Sequence, residues 1–551
     1  MPQLQINQGP QDALLYDNTR SYFTNVGYVR TSNFQVEYRN VDSQNAPQFG
    51  STVQYVIPKA ADLLGPVDLR IKIPEPTDCG VLNTAITKSG TRAYTQWVDE
   101  LGFAMIEKVT FSVGSNDIET ITGEQMQIKN ELMTSDEQRL GFEHVMKTGK
   151  RAFANITDKT KANDGELPGT NEEGKVGTIT SGANASFPVA SSGKTVNKDY
   201  SRLIGLGHFD ATSKIYGSGD RHLIIPLNLF FTKHVSQYFP LAAVAGCNDV
   251  RIAVKFRSLK ELIQIGGGIA ATDLAISTHM PTFGQMEAKL MCHYVHVTGP
   301  EATTLMNKEH VRLLKLWQHQ HKTFETISNN RMELDLSFLH PITTLIVTIR
   351  RADDMNSETT GMKGAAAAQT GDTNTQQKGF FFYHGDGTMP NYDSALAGTI
   401  RVDSMQLTLN GQERHPGLSG GIDTEYLQHR LLPQLHSNSN SVQKMLMATT
   451  ADGAEQQRYG MQGSKNIFVY PFSLNPEGTN PSGAVNFSKV SHAKLQINLD
   501  KSTTTGSPII EGGTGMPGDS AATKSALRVD VYGLYYNWLQ IKDGRALLSF
   551  A

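Results

Sequence analysis

The chain has 551 residues, 38% of them apolar and 19% charged, with 50 Lys and Arg against 53 Asp and Glu. That length exceeds one ordinary core and predicts about two to four domains, while a net charge of −3 excludes a global field that would gather nucleic acid or an anionic membrane. Fifty glycines and 22 prolines without a collagen-like period favour many turns over long helices, so the expected class is all-β.

The first 24 residues are polar and carry two Asp and one Arg, so they read as an arm with no basic, genome-binding character. They lack a charged region followed by an apolar one, so no secretory signal is expected. The strongest apolar run, Leu223 to Phe231, is about half the length a membrane-spanning helix needs. Strand patterns then follow in order: Pro66 to Pro74, Lys108 to Glu119, His222 to Phe231, Asp249 to Phe256 and Lys289 to Val297. In KVTFSVGSNDIE, period-2 alternation puts Val109, Phe111 and Val113 on one face and Lys108, Thr110 and Ser112 on the other. Gln125 to Gln138 is the best helix candidate.

The second half repeats the order. Ile342 to Arg351 matches the first strand, Met405 to Arg414 the second and its Gly turn, Asn466 to Pro476 the third, His492 to Leu499 the fourth, and Arg528 to Leu539 the aromatic closing strand. Pro226 and Pro471 fall at matching places, where a missing N–H predicts an edge, a bulge or a strand start. The offsets drift through about 276, 296, 245 and 241 residues, so insertions have grown separately in the intervening loops. The chain therefore reads as an arm over 1–24 and two consecutive all-β halves over 25–300 and 301–551, each long enough for an eight-stranded jelly roll, a β-sandwich, with most of its length in loops. Few short helices are expected, and the long loops include 159–201, 353–378 and 502–524.

Catalytic and cofactor motifs are weak. GLSGG, Gly417 to Gly421, fits the hydrolase elbow around Ser419, but ERHP precedes it where a buried strand is required. IGGGIAA, Ile265 to Ala271, fits a dinucleotide fingerprint with Glu287 as the acidic residue, yet Pro281 and a following strand pattern oppose a βαβ unit. His319 and His321 share one strand face and could ligate metal, but no third ligand stands at a convincing spacing, so a polar strand face is the favoured reading. Trp317 and Trp538 could form a sugar platform; with Tyr532, Tyr535 and Tyr536 they read better as core and contact packing. Cys79, Cys247 and Cys292 are too few and scattered for a disulfide framework or zinc site, which suits a reducing cytosol. Asn155, Asn184 and Asn486 match the glycosylation triplet, a pattern common by chance. No catalytic, cofactor-binding or metal residue is assigned.

Four stretches carry a family resemblance: Ser51 to Pro74, Trp97 to Thr120, Arg221 to Phe256 with its Pro-Leu-x-Ala segment, and Tyr532 to Ala551 with an Asn in an aromatic strand. Together and in this order they resemble the major capsid proteins of nucleocytoplasmic large DNA viruses, the iridovirus, chlorella virus and African swine fever virus types. The resemblance implies two jelly rolls per chain and homotrimers whose six barrels form a pseudo-hexagonal capsomer that tiles an icosahedral shell. It implies further that the chain is no enzyme and needs no cofactor. Its implied partners are neighbouring capsomers, minor capsid and penton proteins, and an internal virion membrane reached through the N-terminal base, with no direct nucleic acid. Assembly in host cytoplasm and residence in the virion capsid follow from the same resemblance. The alternatives are a capsid protein of another double jelly-roll lineage, a β-sandwich hydrolase using Ser419, and a non-viral two-domain glycan-binding protein.

Overall fold

The structure, a computed structural model, describes residues 34–73, 76–78, 94–98, 101–134, 177–178, 195–196, 221–244, 248–266, 282–297, 300–325, 327, 330–351, 362–364, 374–376, 380–381, 383, 399–400, 402–414, 422–424, 426–431, 443–448, 458–464, 466–476, 478, 480–499, 510–511 and 527–550. The polar arm, Ser419, Asn155, Asn184, Cys79, Cys247 and most of the three long loops lie outside them.

The principal strands of the first half are β1 (Phe34–Asp42), β2 (Thr52–Ile57), β3 (Leu63–Ile73), β4 (Ile106–Val113), β5 (Asn116–Thr122), β6 (Arg221–Pro226), β7 (Val250–Phe256) and β8 (Glu287–Val297). They form two antiparallel sheets in the orders β1-β8-β3-β6 and β2-β7-β4-β5. The second half supplies β9 (His310–Phe324), β10 (Arg331–Asp335), β11 (Pro341–Arg351), β12 (Val402–Leu409), β13 (Gln412–Arg414), β14 (Ile467–Pro471), β15 (Ala493–Leu499) and β16 (Leu527–Lys542). Their orders are β9-β16-β11-β14 and β10-β15-β12-β13, the same arrangement strand for strand. Each set of eight is a jelly roll.

Equivalence extends to register. Phe111 faces Ile252 in the first roll, and Leu407 faces Leu495 in the second. Both turns following these strands use left-handed backbone, at Gly114 (φ 64°) and at Asn410 and Gly411 (φ 51° and 78°). The Gly114 N–H donates to the Asp249 carbonyl at 2.8 Å, and the Asn410 N–H to the His492 carbonyl at 2.8 Å. Pro226 and Pro471 each end an outermost strand, so the edge reading holds. Pro226 faces Asp68 and Pro471 faces Thr344, two positions 276 residues apart (344 minus 68).

Alternation places the core as expected. Val109, Phe111 and Val113 are buried, as are Met405, Leu407 and Leu409. Four phenylalanines interlock in the first core, with the Phe111 ring 5.1 Å from Phe231 and 5.2 Å from Phe239, and Phe230 5.1 Å from Phe231.

Helix α1 (Gly123–Met133) begins two residues before the expected start and ends at the Thr134 cap. A capping box sets its beginning: the Gln125 N–H donates to Thr122 Oγ1 at 3.2 Å, and the Thr122 N–H to Gln125 Oε1 at 2.9 Å. Gly123 permits the helix to start there, because a Cβ would stand 2.3 Å from the carbonyl oxygens of both Phe103 and Ile106. Gly123→Ala is expected to lower the unfolding free energy by about 2 kcal/mol or more, measured by denaturant titration.

The two rolls share buried surface. Ile128 and Leu132 of α1 pack on Ile346, Ile467, Val469, Tyr532 and Leu534, the outer face of the second roll's β9-containing sheet. Strands β9 and β16 run 15 and 16 residues. They reach past their own sandwich, so that Leu314, Leu316, Leu539 and Ile541 belong to the first roll's core. A final strand, β17 (Arg545–Leu548), follows β16. Asn248 Nδ2 donates to the Gly544 carbonyl at 2.8 Å, tying the turn before β17 to the first roll. Asn537, the Asn of the aromatic strand, clips the chain end: its Nδ2 donates to the Phe550 carbonyl at 2.6 Å and its Oδ1 accepts the Phe550 N–H at 3.1 Å.

Candidate functional site

The densest group of buried charge among the described residues lies where α1 meets the second roll. Arg350 on β11 is 1% exposed, Asp530 on β16 is fully buried and Glu124 on α1 is nearly so. Arg350 Nη2 donates to Asp530 Oδ2 at 2.9 Å, and a second ion pair joins Arg350 to Glu124 of the first roll. Its Nη1 donates to the Phe380 carbonyl at 2.6 Å. Burial opposes the guanidinium charge, but Glu124 and then Asp530 hold it in its charged form. Burial likewise would raise the Asp530 carboxyl; the His319 hydrogen bond, then Arg350 and Arg528, keep it well below the usual carboxylate range.

His319 and His321 lie on the same face of β9, their rings 5.5 Å apart and inclined by 24°. His319 stacks on Tyr532 at 4.5 Å and its Nε2 stands 2.8 Å from Asp530 Oδ1. Burial and then Arg528 push the His321 pKa down. The shared histidine face is as expected from HQH; what the sequence reading lacked is Asp530, which β16 sets directly opposite His321. Its signal was present as the lone acid in RVDVYGLYY, where Arg528 is the other charge, matched by an Arg pair closing ITTLIVTIRR. An unaccompanied charge in a strand buried on both faces calls for a partner.

A second charged pair, the buried Glu119 and the half-buried Lys129, lies beside α1. Glu119 Oε2 accepts the Phe230 N–H at 2.8 Å, and Lys129 Nζ donates to the Asn228 carbonyl at 3.2 Å. Burial pushes Glu119 up to about 7 and Lys129 down to about 8, each shift moderated by the other's charge.

The remaining candidates separate. Ile263–Gly266 is a strand paired antiparallel with Tyr94–Trp97, and Glu287 opens antiparallel β8, so neither is in the parallel frame a dinucleotide fold requires. Trp317 is half-buried with its ring edge-on to Tyr532, and Tyr532 and Tyr536 are buried, in line with packing. Trp538, at 42% exposure, stands on the outward face of β16, on the contact side of that reading rather than in the core. Cys292 is buried and its thiol is pushed up to about 12 by burial, an inert packing residue. Asn486 is exposed, but its Oδ1 accepts the Ser488 N–H at 3.0 Å.

Two family models match the chain: the major capsid protein N-terminus over residues 21–297, and the large eukaryotic DNA virus major capsid protein over residues 456–546. The chain belongs to this capsid protein family. The major capsid protein of Phaeocystis pouchetii virus is 21% identical over 582 aligned positions, covering 98% of both chains. That of Paramecium bursaria Chlorella virus 1 is 21% identical, over 60% of this chain and 67% of its own. Among solved structures, the quasi-atomic PBCV-1 capsid superposes with a TM-score of 0.57 at 16% identity, covering 96% of this chain and 100% of that one. The Faustovirus major capsid protein does so with a TM-score of 0.53 at 12% identity, over 96% and 94%. The double jelly-roll fold and the role of major capsid protein in the virion of a large DNA virus are thereby those the sequence resemblance implied. Arg350 joins Glu124 of the first roll to Asp530 of the second, so the dense buried charge ties the two rolls together.

Proposed function

We propose that three copies of this capsid protein close into a ring, presenting six similar β-barrels as one pseudo-hexagonal tile of an icosahedral shell. The observation that carries this reading is the strand-for-strand identity of the two sheets in each half, which makes one chain present two nearly equivalent sides. Three such chains about a three-fold axis present six, a shape that packs on a hexagonal net. We divide the chain into an arm over 1–24 and rolls over 25–300 and 301–551, with α2 (Pro300–Asn307) at the junction.

In this reading the work is assembly, with no catalysis and no cofactor. Neighbouring capsomers, minor capsid proteins and penton proteins are the partners, the arm reaches along the base toward them and toward an internal membrane, and nucleic acid is not contacted directly. The inserted loops form the outer face or interlock neighbours, and assembly takes place in host cytoplasm. Near-neutral charge supports dense self-packing.

Negative-stain electron microscopy of the purified chain tests the trimer: three-fold particles with six-lobed outlines are expected, and uniform two-lobed monomers, with or without an assembly chaperone, would count against it. Deleting residues 2–24 should leave trimers intact and impair lattice formation. Loss of the trimer itself would refute the arm's assignment.

A further inference from the structure

We propose that His319, His321 and Asp530 bind a divalent transition-metal ion of the zinc, copper(II) or nickel class. The three offer ligand atoms that all lie within 4.8 Å of one another. Two of them come from alternate positions of β9, where the pleat projects both imidazoles to one side. The third faces them from β16, in register with His321.

The His319–Asp530 distance is close to the one an ion imposes. Two ligands with bonds of about 2.0–2.1 Å to a common metal stand roughly 2.9–3.4 Å apart, depending on the angle between them. His319 Nε2 and Asp530 Oδ1 are already 2.8 Å apart. Exchanging the proton between them for an ion therefore opens the pair by only a few tenths of an ångström. His321 is exposed and free to swing inward by side-chain rotation. The other two are held: Tyr532 stacks beneath His319 with planes 10° apart, and Arg350 grips Asp530 through Oδ2, so the ion would take Oδ1, which without it accepts from His319 and Arg528. An ion here would leave the Arg350 bond between the rolls in place.

Charge decides which ion. Glu124 and Asp530 are balanced by Arg350 and Arg528, so the pocket has no surplus negative charge to attract Mg2+ or Ca2+, and it supplies one carboxylate against two imidazoles. That donor set favours metals of the zinc and copper group. The opposing group is Arg528, whose Nε and Nη2 donate to Asp530 Oδ1 at 3.0 and 2.9 Å. It competes for the oxygen the metal needs.

The test uses the full chain, stripped with chelator and titrated with Zn2+ against a colorimetric chelator, with His321→Ala, His321→Gln and Arg528→Gln in parallel. Wild type should take up one equivalent more than either His321 variant, with excess Mg2+ making no difference. Arg528→Gln should tighten that equivalent by about tenfold or more, since a unit positive charge within hydrogen-bond range is removed. Both His321 variants change an exposed side chain, so their folding is expected to be unaffected, and unspecific uptake by other histidines is common to all the proteins. Equal uptake by wild type and His321→Ala would overturn the site, as would displacement of Zn2+ by Mg2+ or unchanged affinity in Arg528→Gln.

Discussion

Replacing Arg350 with methionine is expected to destabilise the chain by about 3–5 kcal/mol, read as a fall in the midpoint of denaturant unfolding. Methionine fills much of the volume, so the loss is electrostatic: Glu124 and Asp530 remain buried beside each other's charge without the cation that joins them. The triple variant Arg350→Met, Glu124→Gln, Asp530→Asn should recover much of that stability, because neutralising all three partners removes the desolvation cost along with the attraction. A triple variant no more stable than the single one would show that the methionine disturbs packing instead. The pH dependence follows in sign. Asp530 has a folded pKa below its unfolded value of about 4, so its contribution is complete above that value and is lost as pH falls through the acid range toward the folded pKa. Asp530→Asn should flatten that acid slope and leave the pH dependence in the neutral region as in wild type.

Leu539→Ala should cost about 2–5 kcal/mol, since Leu539 is fully buried and its removal leaves a cavity that a rigid strand pair cannot collapse. Its distinguishing effect is on where the damage appears. Leu539 belongs to β16 of the second roll yet lies in the core of the first. Hydrogen exchange should therefore show faster opening around Phe111 and Phe231 as well as along β16. Faster exchange confined to the second roll would mean that the shared core does not couple the two.

The duplication was legible because β-strands announce themselves locally. Alternation in KVTFSV and MQLTL states which side chains face inward, and the glycine turn states where each strand ends, so the pairing of one half with the other needed no contact information. Pro226 and Pro471 gave the sheet edges by the same token. The buried polar contacts were harder to read. Asp530 meets His319 across 211 residues and Arg350 across 180, and no periodicity links positions so far apart. The start of α1 was missed by two residues because Gly123 reads as a helix breaker, whereas here it is the residue that lets the helix pass two carbonyl oxygens. Whether Trp538 packs in the core or at a contact could not be read for a related reason: the alternation of β16 gives a residue's side of the sheet, but not whether another layer covers that side.

The placement of Pro226 and Pro471 also bears on how errors are avoided during shell growth. Each closes an outermost strand with a residue that offers no N–H, just where a passing chain could add itself to the ladder. Backbone annealing of that kind is slow to reverse. With those two edges blunted, the proposed assembly would join copies there through side chains, whose contacts form and dissolve one at a time, so a misplaced unit could detach and try again before the shell grows over it.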